Sequence, residues 1–385
     1  MRLAEYEHDS VRLTYLLPAR GGADFVKGLP VHVRYGWSPA SVENFYGYVH
    51  HTQVETRVGE TKLLHVFVVS CSYRLNEVGT HSYLRKTLPQ IVALVARRNQ
   101  FSATIGGDNH KVLRHVAQHG KSDFKFLVDQ AKAHGNVFYA HNTDLVMRER
   151  RIEKCTGRVP TFAYDPVVYK ARNFILSFYR SLNEDTDDRK QVSHGVSFSG
   201  RRLQARNKKV AVKHGKRKAR RSTFHRIDRS VVSNLGEARH AAAAAAELNR
   251  FNVTATATCS GDPRVRQASV IRLLGISDED NGLWYVMKVD HVIDTVSSEY
   301  TLEMSLARDS LGQVVADLDV TTPDGLVIAI DSCAIPLDTA SSTSTPKTIY
   351  EPAARALPID STAITKGAGP WFWRAKRFAV RKFKC

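Results

Sequence analysis

Leu63 to Tyr73 reads LLHVFVVSCSY. Branched and aromatic side chains crowd this run, and neither Gly nor Pro interrupts it, so it is the strongest strand in the chain. The segments before it carry the same signal. Val31-His32-Val33-Arg34-Tyr35 alternates as a half-buried strand does. Phe45-Tyr46-Gly47-Tyr48-Val49-His50 is aromatic, and its central Gly marks a bulge or a close backbone approach. The first eighty residues therefore read as sheet.

The period then changes. Thr87 to Arg98 (TLPQIVALVARR) places Ile91, Leu94, Val95 and Arg98 at helical spacing, with Pro89 in the first turn. A second helix follows Ser122 as N-cap, with Phe124, Leu127, Val128 and Ala131 on one face and Gly135 at the left-handed C-terminal position. Val137–Ala140, a turn over 141–144 and Leu145–Arg150 read as a hairpin. Strand signals return over 161–200, broken by the acidic turn 184–188. Asn234 and Glu237 open a helix that runs through the Ala241–Ala246 run to about Arg250. Four strand segments close the pattern: FNVTATATCSG, ASVIRLLGI, LWYVMKVDHVI and YTLEMSLA, with a hairpin turn at 277–282. Residues 341–358 are rich in Ser, Thr, Pro and Ala and read as a linker or extended arm.

The 385 residues carry a formal net charge of +18. Twelve basic residues and no acid lie between Arg201 and Arg226, and six basic residues and no acid between Trp371 and Cys385. The remainder is balanced, so the chain reads as a neutral body with two basic segments. The stretch 201–226 holds one aromatic, Phe224, which gives little support to base stacking and favours docking to an acidic protein neighbour. The C-terminal end suits an anchor that buries Trp371, Phe372 and Trp373 in a partner subunit. No run of about 18 apolar residues occurs, so stable membrane insertion is not expected. Cys71, Cys155, Cys259, Cys333 and Cys385 form no CxxC pair and read as free thiols of a reducing cytoplasm.

No active site assembles from the motifs. His115 and His119 stand four apart with His110 nearby, a spacing that can ligate a metal on a helix, but no third ligand follows. Ser193-His194-Gly195 and Ser260-Gly261-Asp262 lack the pattern of a nucleophile elbow. The acids at 184–188 and 278–280 read as solvated turn tips. No catalytic, cofactor-binding or metal residue is assigned.

Three passages together resemble the central baseplate hub proteins of phage tails, a group that includes the late control D proteins and the N-terminal hub part of type VI secretion spike proteins. The first is Val31–Gly36 followed by Phe45-Tyr46-Gly47-Tyr48-Val49. The second runs from His115 to Leu127, with Gln118, Ser122-Asp123, Phe126-Leu127, Ala131 and Gly135 as landmarks. The third is the Ala-rich helix, then Gly261-Asp262-Pro263, Ile271, Gly275, Gly282–Val286, His291-Val292-Ile293 and Tyr300-Thr301-Leu302. They cover about residues 25–310. The sequence departs from the family after Pro263, where Arg264–Ser269 replaces a Pro-Gly turn, and neither 201–226 nor the tail after 310 has a counterpart.

The resemblance implies a mainly β, α+β chain with two tube-like β-barrel domains that forms a homotrimeric ring. The expected divisions are a first barrel region at 1–79, a small α/β domain at 80–160, a second barrel region at 161–310 with the basic insertion 201–226 and helix 234–250, and an extended arm at 311–385. The implied role is a structural, non-enzymatic tail hub of the virion, made in the host bacterial cytoplasm. It joins the tail tube to the tip or spike and forms part of the genome ejection channel, with transient DNA passage. The implied partners are the tail tube or distal tail protein, the tape measure protein, the spike and other baseplate proteins. Two other functions stay open: a tail-associated cell-wall hydrolase, and a nucleic-acid-binding module built on 201–226.

Overall fold

The computed structural model describes residues 1–17, 25–37, 42–56, 62–106, 112–150, 152, 159–168, 171, 173–182, 190–196, 202–206, 224–228 and 235–309. The expected arm 311–385, the linker within it and the aromatic, basic end lie outside the described residues, as does most of the basic stretch 201–226.

The N-terminal part holds β1 (Arg2–Ala4), β2 (Ser10–Leu16), β3 (Pro30–Gly36), β4 (Val42–Glu55) and β5 (Leu63–Ser70). They join in the order β1-β2-β5-β4-β3, and β3 has no partner on its outer edge among the described residues. One face of this sheet buries Val11, Leu13, Val33, Phe45, Val49, Leu64, Val66 and Val68. The strand in LLHVFVVSCSY stops at Ser70, and Cys71–Asn76 turns into a 3-10 helix. The hydroxyls explain the stop: Ser70 and Ser72 bond each other at 2.7 Å, and Ser72 also meets His8 at 2.9 Å.

Next come β6 (Val78–Thr87), α1 (Leu88–Arg98), β7 (Ser102–Ile105), β8 (Val112–Ser122), α2 (Asp123–Ala133), β9 (Asn136–His141) and β10 (Asp144–Glu149). Strands β6 and β8 form a two-stranded ribbon, while β7, β10 and β9 form a small sheet under the helices. Both helices start as their sequences direct. Thr87 and Gln90 make a reciprocal capping box on α1, and Ser122 accepts the Lys125 amide at 3.2 Å on α2. The Gln118 and Ser122-Asp123 landmarks form a buried corner between strand and helix. There Asp123 accepts from Gln118 at 2.7 Å, Asn99 at 2.6 Å and Arg98 at 2.5 Å.

The C-terminal part holds β11 (Thr161–Ala163), β12 (Asn173–Leu182), β13 (Lys190–Val196), β14 (Arg202–Arg206), β15 (Phe224–Asp228), α3 (Leu235–Arg250), β16 (Val253–Ser260), β17 (Val270–Leu274), β18 (Gly282–Asp294) and β19 (Glu299–Arg308). Six of these strands close on themselves in the order β17-β11-β12-β16-β19-β18, with β18 pairing back to β17. This barrel is filled by the alternate residues of its strands, including Val253, Ala255, Ala257 and Cys259 of β16 and Tyr300, Leu302, Met304 and Leu306 of β19. Strand β18 then continues past β17 to pair with β1, so barrel and first sheet share one strand. The second face of β9 and β10 packs on the outside of the barrel through Val137, Tyr139, Val146, Tyr285 and Ala307. Burial on both faces explains the unbroken apolar run of β9.

Helix α3 buries Ala238 and, in its Ala run, Ala241, Ala242 and Ala244. Gly135 ends α2 at φ +72, and a Cβ there would lie 3.0 Å from the Ala244 backbone. The small side chains therefore let two helices approach closely, beyond their effect on helix propensity. The fold is thus mainly β with α/β insertions. No described helix is long and apolar enough to cross a membrane.

Gly47 meets the expected close approach, since a Cβ on it would sit 2.3 Å from the Val69 carbonyl oxygen. Gly47→Ala should cost about 1–3 kcal/mol, read as a lower urea midpoint with an unchanged slope. An unchanged midpoint would show that β4 and β5 can move apart freely.

Candidate functional site

The turn between β1 and β2 lies where the sheet, the α/β unit and the barrel meet, and its Glu5 and Asp9 are buried. Glu5 accepts from Arg150 Nη2 at 2.6 Å and from the Tyr285 hydroxyl. Burial pushes the Glu5 carboxyl up, and the Arg150 charge pulls it back. Tyr6, at φ 61, donates its amide to the Phe138 carbonyl at 2.8 Å and its hydroxyl to the Asn136 carbonyl at 2.8 Å. One short turn thus ties β1 to β18, to β9 and to the end of β10.

Beside it, Asp9 accepts from Gln267 Nε2 at 3.2 Å and from the Ala4 amide at 3.4 Å. Burial pushes this carboxyl up to about 8. Arg266 donates to Glu43 on β4 and reaches the His141 ring at 2.6 Å. Burial, then the Arg266 charge, lower His141 to about 4, so its ring is a neutral acceptor. Asp9, Tyr35, Asn44, His141, Arg266 and Gln267 line a small cleft between the three parts.

Each end of the barrel is closed by a polar cluster. At one end, Arg308 is fully buried with its guanidinium 4.2 Å from the Trp284 ring centroid. It donates to the carbonyls of Glu279, Asp280 and Asn281, while Asp280 also accepts from Arg180 at 2.9 Å. Burial lowers Arg308 to about 10. The acidic turn 278–280 is therefore more than a solvated tip, because its carbonyls and Asp280 hold two arginines. At the other end, His291 accepts the Tyr300 hydroxyl at Nδ1 (2.8 Å) and donates from Nε2 to the Val265 carbonyl (3.0 Å). Burial holds His291 down to about 3.

These groups can clamp and position, but they leave no free nucleophile beside a base. Both nitrogens of His291 are engaged, and Asp262 is held by Arg264 and Asn173. His115 and His119 sit on strand β8, not on a helix, and His115 bonds Ser82 at 2.8 Å; His110 lies outside the described residues. Among the described residues no group of three His, Cys, Asp or Glu is placed to hold a metal ion. Ser193, His194 and Gly195 lie on β13, and the acids at 184–188 lie outside the described residues. Cys71 and Cys259 are buried, and burial pushes the Cys259 thiol up to about 12. Glu5, Asp9 and Arg308 were not legible as a site. Their only trace is a charge set at the end of an apolar alternation.

No family model matches the chain, and no curated protein matches it. Solved structures share its fold. The 43 kDa tail protein of prophage MuSo2 from Shewanella oneidensis aligns at a TM-score of 0.57 and 12% identity, over 80% of this chain and 95% of that one. A tail protein from Neisseria meningitidis MC58 aligns at 0.54 and 12%, over 79% and 98%. An E. coli type VI secretion component, described as similar to the T4 tail proteins gp27 and gp5, aligns at 0.51 and 10%, over 79% and 71%.

Two measurements test the clamp. Arg150→Ala leaves Glu5 buried without its cation and should cost about 3–5 kcal/mol, whereas Glu5→Gln with Arg150→Met should cost clearly less. Equal losses in urea unfolding would show that the pair is not coupled. Asp9 binds its proton more tightly folded than unfolded, so its contribution is full below about pH 4 and is lost as pH rises toward 8. Asp9→Asn should therefore stabilise more at pH 8 than at pH 5.5, and an equal difference at both would exclude a protonated Asp9.

Proposed function

We propose that the chain is a baseplate hub protein of a phage tail or related injection device. Three copies form a ring that joins the tail tube to the tip or spike and surrounds part of the ejection channel. The observation that carries this reading is the architecture itself: a closed six-strand barrel and a five-strand sheet linked through the shared strand β18. Each copy brings one closed barrel and one open sheet; in this reading the sheet serves as the second wall module, so three copies bring six modules, matching a sixfold tube to a threefold tip. Three structures that share the fold, two tail proteins and a type VI secretion component, support the reading over about four fifths of the chain.

In this role the buried polar junction keeps the two modules at a fixed angle, as a ring wall requires. The outer edge of β3 would be covered by a neighbouring copy, which removes an edge open to aggregation. The partners are the tail tube or distal tail protein, the tape measure protein and the spike, in the virion. The basic segments 201–226 and 371–385 act as docking arms for acidic surfaces of these neighbours.

The purified full chain should have three times the mass of one copy by light scattering and give ring-shaped particles in negative-stain images. Tube protein should bind one face of the ring. A stable monomer, even with tube and tip proteins added, would overturn the proposal. So would cell-wall digestion abolished by one carboxylate or Cys substitution.

A further inference from the structure

The neutral body is not neutral everywhere. Residues 78–122 hold seven Lys and Arg against one acid, Asp108, while residues 275–303 hold seven acids against one base, Lys288. The first set contains the β6–β8 ribbon. The second contains the β18–β19 hairpin.

The hairpin sets like charges face to face. Its register places Asp294 directly opposite Glu299 and Asp290 opposite Glu303. Like charges facing each other across strands are destabilising. Asp290 is served by Arg2 at 3.1 Å and Lys288 at 2.9 Å. The exposed Glu299 and Glu303 have no cationic partner among the described residues. Val296, in the turn between β18 and β19, is 86% exposed.

The ribbon has the opposite character. It is two strands wide, with no further strand on either side among the described residues, and such ribbons are marginal alone. Leu84 and Val112 are exposed at 65% and 59%. Arg98 and Lys121 are committed to Asp123 and Asp129, whereas the exposed Arg85 and Lys86 have no acidic partner among the described residues. A ring of identical copies needs two different, complementary surfaces on each copy. Both are present here, each with charge and an apolar contact.

We infer that copies join head to tail, with the acidic β18–β19 hairpin of one copy seated on the basic β6–β8 ribbon of the next. This rests on the ring reading above and names the contact that closes it.

The test is reciprocal charge reversal in the full chain, read as oligomeric mass by light scattering over a concentration series. Glu299→Lys with Glu303→Lys should weaken association at least about tenfold, and Arg85→Glu with Lys86→Glu should do the same. Combining all four should restore the wild-type mass. Circular dichroism confirms that each variant is folded, and the restored four-fold variant guards against misfolding of either pair. Wild-type mass in either reversal pair, or no restoration in the combination, would overturn the inference and leave the ring reading standing. A wild-type chain that stays monomeric would overturn both.

Discussion

Strand β18 is the constraint on which the rest depends. Its 13 residues offer one edge to β19 along their length and the other edge to two partners in turn. Gly282–Tyr285 pair with β17 and close the barrel, while Lys288–Asp290 pair with β1 and carry the hydrogen bonding into the first sheet. The ladder to β19 shifts register between Val286 and Lys288, where the partner changes. An extra residue at that point bends the strand and re-aims it, which lets one strand serve two walls. Trp284, Val286 and Val289 then fill the barrel core from β18 itself.

The buried charges follow from this arrangement. Where three cores meet, backbone and side-chain polar groups lose water, and each must find a partner. Glu5 with Arg150 and Tyr285, and Asp9 with Gln267, meet most of that demand, while Arg150 Nε and the Asn136 side-chain amide find no partner among the described residues. Such pairs add little net stability, because desolvation offsets their attraction. Their effect is on geometry, since any shift between modules strands a buried polar group. The close crossing of α2 and α3 over Gly135 and Ala244 adds a second fixed contact.

Net charge and charge placement turn out to be separate properties. The excess of +18 lies in two segments, and the balanced remainder still separates into a basic ribbon and an acidic hairpin. Summing over the chain hides this, because strands far apart in sequence cancel in the total but not in space.

The sequence by itself determined the local elements. Capping at Thr87 and Ser122, the left-handed end at Gly135, the Gly47 approach and the alternation of β16 and β19 are written within a few residues, because caps and periodicity act over one or two turns. It also marked Gln118 and Asp123, though not why they belong together. Tertiary structure alone decided the pairing of Leu3 with Val289, the closure of β17 on β18, and the burial of Glu5, Asp9 and Arg308. It also put His115 and His119 on a strand, and gave the acidic turn two arginines to hold. These depend on contacts between residues as many as 290 positions apart. No local periodicity encodes such contacts. They are selected by the burial of whole faces and by the need to satisfy most of the polar groups those faces enclose.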